Sequence, residues 1–95
     1  MFSVHALPNS VGRVRLGLSV SRKVGVAVKR NAVRRRLRVI FRSVAPGVAA
    51  GLDLVVSVRA AAADADFDEL NQEFLAALRK LNVQRAAGEP AVGDV

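Results

Sequence analysis

From Arg13 to Arg42 the chain runs through thirty residues that include eleven Lys and Arg and no Asp or Glu. Nothing within the segment can neutralise a cation taken out of water, and an unpaired buried charge is prohibitive. These side chains are therefore driven to the surface, and the apolar residues between them are left to form the buried set. The other sixty-five residues carry four basic and eight acidic side chains, a balance of −4 against +7 for the whole chain. Charge segregated in this way builds one strongly basic surface, whose natural counterpart is a polyanion.

Within that segment the apolar positions change period. Val14, Leu16, Leu18 and Val20 alternate with Arg13, Arg15, Gly17 and Ser19, which predicts a strand over 13–20. Upstream, Phe2, Val4 and Ala6 alternate with Ser3, His5 and Leu7, and Pro8, Asn9, Ser10 and Gly12 mark a turn. The two strands are expected to form an antiparallel hairpin with one polar, partly basic face, Gly17 marking a close-packed or bulged position. Gly25 then opens a helix that lasts to Val44 and is stopped by Pro46 and Gly47. At about 100° per residue, Val26, Val33, Leu37, Ile40, Phe41 and Val44 share a stripe, and Asn31, Arg34, Arg35, Arg38 and Arg42 share the adjoining arc. One face packs and its neighbour binds.

A third strand is predicted over 52–58, with Leu52, Leu54, Val56 and Val58 pointing inward. Ala60 to Ala65 carries no pattern and is read as a linker. Asp66 with Glu69 resembles a capping box. It starts a helix whose stripe is Phe67, Leu70, Phe74, Ala77, Leu78 and Leu81, with acidic Asp68, Glu69 and Glu73 early and basic Arg79 and Lys80 late, as the helix dipole prefers. One small α+β domain over residues 1–85 is expected, followed by a disordered tail over 86–95 rich in small residues, Gly and Pro.

Several chemistries are excluded by composition. The chain has no Cys, hence no disulfide, thiolate nucleophile or Cys-based zinc site. No apolar run approaches the roughly 18 residues of a membrane span, and the expected location is cytoplasmic. His5 is the single histidine and has no partner for a metal site or a triad; it is either an exposed strand residue or a surface on which a base stacks. Most of the carboxylates gather where a helix start explains them. No phosphate loop or dinucleotide fingerprint is present. Arg30, Arg34, Arg38 and Arg42 follow one another at i,i+4 spacing and repel by a few tenths of a kcal/mol per pair, a cost that an anionic ligand removes.

The segment Arg15-Leu16-Gly17-Leu18-Ser19-Val20-Ser21-Arg22-Lys23-Val24-Gly25, followed by Ala27-Val28-Lys29-Arg30-Asn31 and then Arg34-Arg35-Arg36-Leu37-Arg38, resembles the signature block of the bacterial ribonuclease P protein subunit. Asp53 to Arg59 is similar to that family's strand after the helix, and Phe67 to Leu81 to its final helix, so the resemblance covers about Phe2 to Leu81. It implies a two-layer α/β sandwich of the ribosomal protein S5 domain 2 type, in which the Arg-Asn helix joins parallel strands by a left-handed crossover. It also implies a partnership with a catalytic RNA that removes the 5′ leader from precursor tRNA, the RNA supplying the active site and its magnesium ions while the protein binds no cofactor itself. Carried over to this sequence, Arg22, Lys23, Arg30, Asn31, Arg34, Arg35 and Arg38 match the motif and are expected to contact RNA. Arg15, Lys29 and Arg42 extend the same basic set, and Phe2 and His5 fall on the strand that faces the leader cleft. Two positions depart from the family pattern: Ala32 replaces a basic residue and Val39 an acidic one. Family members also begin with a basic helix and a short strand ahead of the strand that starts here at Phe2, so Met1 is expected to lie inside the full functional protein. A general RNA-binding module of ribosomal type explains the charge equally well but not the ordered signature. A helix-turn-helix regulator needs consecutive helices where strand signals stand.

Overall fold

The computed structural model describes residues 1–81; the tail expected over 86–95 lies outside the described residues. The alternating segments form strands β1 (Phe2–Pro8), β2 (Arg15–Val20) and β3 (Leu52–Val58), and the periodic segments form helices α1 (Ala27–Val44) and α2 (Phe67–Leu81). Together they make a small α+β fold with a three-stranded mixed sheet.

The strand order is β1-β3-β2, so the expected β1–β2 hairpin is not formed. Instead β3 lies between them, antiparallel to β1 (Val4 opposite Val56) and parallel to β2 (Leu18 opposite Val56). The reason is burial. Leu54, Val56 and Val58 are at most 2% exposed, and a strand sunk that deeply needs hydrogen-bond partners on both edges. The connection from Asn9 to Val14 is long enough to cross one intervening strand, a gap of about 10 Å at about 4.8 Å per strand. Through α1, β2 and β3 form the expected βαβ unit. Gly17 pairs with Val55 in regular register, with open space above it, so it is neither bulged nor close-packed.

Both helices cover one face of the sheet, α1 over the β2 side and α2 over the β1 side. Val33, Leu37 and Ile40 of α1 meet Leu70, Phe74 and Leu78 of α2 and the inward residues of β3 in a single core. Val26 drops out of the predicted stripe. Its backbone (φ −65°, ψ 165°) is extended, it precedes the first helical residue, and its side chain is 70% exposed. The capping box of α2 is formed as expected: the Glu69 N–H donates to Asp66 Oδ1 at 2.8 Å and the Asp66 N–H to Glu69 Oε1 at 3.4 Å. In place of the expected linker stands a 3-10 turn, Ala60–Asp64, with Ala62 and Ala65 buried. It packs against a second 3-10 turn at Arg22–Val24. Methyl side chains permit that close approach, and the second turn delivers the chain to α1.

Candidate nucleic-acid interface

The basic surface begins where β2 ends. The Ser21 N–H bonds to the Val58 carbonyl at 3.1 Å, which continues the ladder, and the Ser21 hydroxyl accepts the Lys23 N–H at 3.1 Å. This closes a turn that buries Val24 and leaves Arg22 and Lys23 exposed. Gly25 then takes φ 141°, a conformation that side-chain-bearing residues rarely adopt, and a Cβ there would fall 3.0 Å from Lys29 Cδ. The chain thereby turns into α1 with Arg22 and Lys23 placed directly ahead of the helix.

Helix α1 carries Lys29, Arg30, Arg34, Arg35, Arg36, Arg38 and Arg42 and no acid. Among the described residues the ion pairs are Met1 ammonium with Glu73 and Arg15 with Asp53, so no cation of α1 is paired. The N-terminal end of the helix is unusual as well. Its first turn has no acidic residue, and Val26 offers no side-chain acceptor to the free N–H groups. Cations at the positive end of a helix dipole, and like charges one turn apart, are unfavourable by tenths of a kcal/mol each. The isolated helix therefore carries an electrostatic cost along its length that bound anions would relieve.

The predicted arc is in place. Asn31, Arg35, Arg38 and Arg42 are exposed and Arg34 is half-buried, on the side adjoining the packed residues Val33, Leu37 and Ile40. Asn31 positions its neighbour on this arc. Its Oδ1 accepts a hydrogen bond from Arg34 Nη1 at 3.1 Å, which holds that guanidinium and leaves its other donors free. Lys29 is exposed and Arg30 half-buried, and the Arg30 Nε is buried without a partner. Arg36, absent from the predicted arc, is half-buried two residues from both Arg34 and Arg38, on another side of the helix.

Arg15 stands apart from this group. It lies on the sheet face that carries no helix, and its fork is occupied: Nε donates to Asp53 Oδ1 at 2.8 Å and Nη2 to Oδ2 at 3.0 Å. Asn9 completes the cluster by donating to the same Asp53 Oδ1 at 2.8 Å and to the Arg13 carbonyl at 3.0 Å, which ties the β1–β2 connection to β3. The hydrogen bond from Arg15, then that from Asn9, holds the Asp53 carboxyl below its ordinary value of 3.8. A folded-state pKa below that of the unfolded chain contributes stability above the unfolded value, which is lost as pH falls through the folded one. In Arg15→Ala, a carboxyl-detected NMR titration is expected to show the Asp53 midpoint moving up. An unmoved midpoint would mean that the pair does not persist in solution.

The helix-free sheet face presents rows set by the register: Leu7, Asp53 and Arg15; His5, Val55 and Gly17; Ser3, Ser57 and Ser19. His5 is exposed there, beside the open space above Gly17. Phe2, expected to share that face, does not. It is three residues from His5, an odd step along a strand, so it points to the opposite side. There it is 8% exposed and packs on Phe74 with ring centroids 6.1 Å apart. Phe2 belongs to the core and is removed from the candidate cleft. Among the described residues no three His, Cys, Asp or Glu side chains cluster in a way that could hold a metal ion, and no helix is long and apolar enough to cross a membrane.

The family model described as Ribonuclease P matches residues 1–82. The ribonuclease P protein component of Geobacillus kaustophilus is 36% identical over 77 residues, which cover 81% of this chain and 64% of the relative. That of Xylella fastidiosa is 44% identical over 82 residues, covering 85% of this chain and 59% of the relative. The chain thus spans about three fifths of the length of these relatives. In three dimensions it is similar to the RNase P protein of Staphylococcus aureus, with a TM-score of 0.78 and 29% identity over 88% of this chain and 77% of the other. A sheet ordered β1-β3-β2, a 3-10 turn ahead of a helix that presents an unpaired arginine arc, and a match running the length of the described fold lead to one assignment: the chain belongs to the ribonuclease P protein family.

Proposed function

We propose that this chain acts as the protein subunit of ribonuclease P, binding the catalytic RNA and precursor tRNA so that the 5′ leader is removed and the mature tRNA 5′ end is formed. The observation that carries the reading is the acid-free cationic surface of Arg22, Lys23 and α1, in which none of the helix cations has an ion-pair partner within the described fold. Arginine forks left free are suited to the two-pronged recognition of phosphate. In this reading Arg22, Lys23, Lys29, Arg30, Arg34, Arg35, Arg38 and Arg42 meet RNA phosphates and Asn31 orients Arg34 among them. Arg15, engaged by Asp53, contributes to the second, sheet-face surface. That face, with exposed His5 as a stacking platform, receives the single-stranded leader. Hydrolysis and its magnesium ions reside with the RNA, and the complex works in the cytoplasm.

Reconstitution tests the proposal. The protein alone is expected to leave precursor tRNA uncut, and its addition to a bacterial ribonuclease P RNA at low magnesium is expected to restore cleavage at the mature 5′ end. Cleavage by RNA-free protein, or no gain over RNA alone, would refute it.

A further inference from the structure

Helix α1 carries a second feature that its phosphate-binding arc does not explain. Val28 is 77% exposed and Val39 50% exposed. With half-buried Ala32 they fall at i, i+4 and i+11 on one side of the helix, Val28 and Val39 more than a quarter turn from buried Val33, Leu37 and Ile40 and Ala32 nearer to Ile40. Arg35, exposed at i+7, lies in the same row, and a long side chain of this kind can lay its alkyl stem along an apolar surface. This apolar ridge is not a margin of the core. It is bordered on both sides by cations: Arg38 and Arg42 along one edge, Lys29 and Arg36 along the other.

An apolar ridge between two rows of cations has a specific complement. The occupant must present an uncharged strip of about one helix width, roughly 10 Å, with a line of negative charge on each side. A second copy of this chain would bring like charge to both rows. Double-helical RNA fits: its minor groove is wide and shallow, floored by sugars and base edges and walled by two phosphate strands. B-form DNA offers a minor groove only about 6 Å wide, too narrow to admit a helix. Resting on the assignment of α1 to RNA binding, we infer that the Val28-Ala32-Val39 ridge seats the helix in the minor groove of a base-paired RNA segment, with the flanking cations on its two phosphate walls.

The test uses Val28→Ser with Val39→Ser, which removes apolar area without changing charge. Binding is measured against a fully paired RNA stem, a DNA duplex of the same sequence and a single-stranded RNA of the same length, each over a range of salt. The serine pair is expected to weaken binding to the RNA stem roughly tenfold with an unchanged log-log salt slope, and to leave the other two nearly unaltered. Equal loss on single-stranded RNA would assign the ridge to unstacked bases, and no loss on the stem would assign it no RNA contact; either overturns the inference. A wild-type dimer in sedimentation that the serine pair dissolves would give the ridge to a second copy, with the same consequence. Unchanged thermal melting excludes misfolding. Arg34→Ala with Arg38→Ala is the reference: if that pair also leaves RNA binding intact, the assignment of the helix itself has failed, whereas if it alone weakens binding, only the ridge has.

Discussion

Replacing Arg34 and Arg38 together with alanine is expected to weaken binding to structured RNA and to flatten the log-log salt dependence by about one to two units, one unit at most for each phosphate no longer neutralised. The distinctive consequence is the way the difference shrinks with salt. Between about 50 and 200 mM, a slope difference of one to two units reduces the affinity ratio of wild type to variant by roughly 4- to 16-fold. A purely structural defect would leave that ratio constant. The fold should tolerate the change, because Arg38 is exposed, Arg34 bonds only to neighbouring Asn31, and alanine is the better helix former. Removing two positive charges from the crowded arc also lowers its self-repulsion, so melting temperature is expected to hold or rise slightly. Unchanged affinity and slope would mean that this arc is not the RNA-binding surface.

The faces of the elements are legible in the sequence, while the neighbours of the elements are not. A period of two places Val4 and Leu18 inward without saying which strand lies beside which, and both turn out to lie opposite Val56 of the same central strand. Turn residues after β1 suggest a hairpin because they mark a change of direction; the six-residue connection that reaches over β3 carries the same residues. The engagement of Arg15 with Asp53, 38 positions away, follows from the parallel β2–β3 register and is invisible to any local pattern. Phe2 is different. Strand parity already separates it from His5, and only the resemblance places the two in one cleft. The arginine arc lies where the sequence puts it because helical periodicity and the need to keep charge out of the core point the same way. Val26 misleads because an apolar residue at a helix boundary fits the stripe in projection while its backbone lies outside the helix. The alanine run at 60–65 gives no signal for the opposite reason, since methyl groups fit buried and exposed positions alike.

Leu37→Ala is expected to have the largest effect on stability, about 2 to 5 kcal/mol, because Leu37 is 0% exposed at the centre of the α1 stripe and the cavity left by truncation adds to the lost transfer energy. Domains of this kind are stable by about 5 to 15 kcal/mol, so a loss of that size leaves a measurable unfolded fraction in the weaker half of the range. Equilibrium denaturation should show a lower midpoint at unchanged slope. Leu37 and Arg38 are adjacent in sequence and point to different faces, and this makes the two variants a matched pair. The leucine variant loses stability and keeps its arginine arc, so if that arc binds phosphate as proposed, once excess RNA has drawn it into the folded state its salt slope should equal that of wild type. Mass action supports such a rescue: ligand at about 100 times its Kd stabilises the folded state by about 2.7 kcal/mol, comparable with the lower half of the expected loss. The arginine pair should behave in the opposite sense, with stability kept and slope lost. If Leu37→Ala flattened the slope as strongly as the arginine pair, packing and binding would not be separable on α1, and the division of the helix into a core face and an RNA face would have to be abandoned.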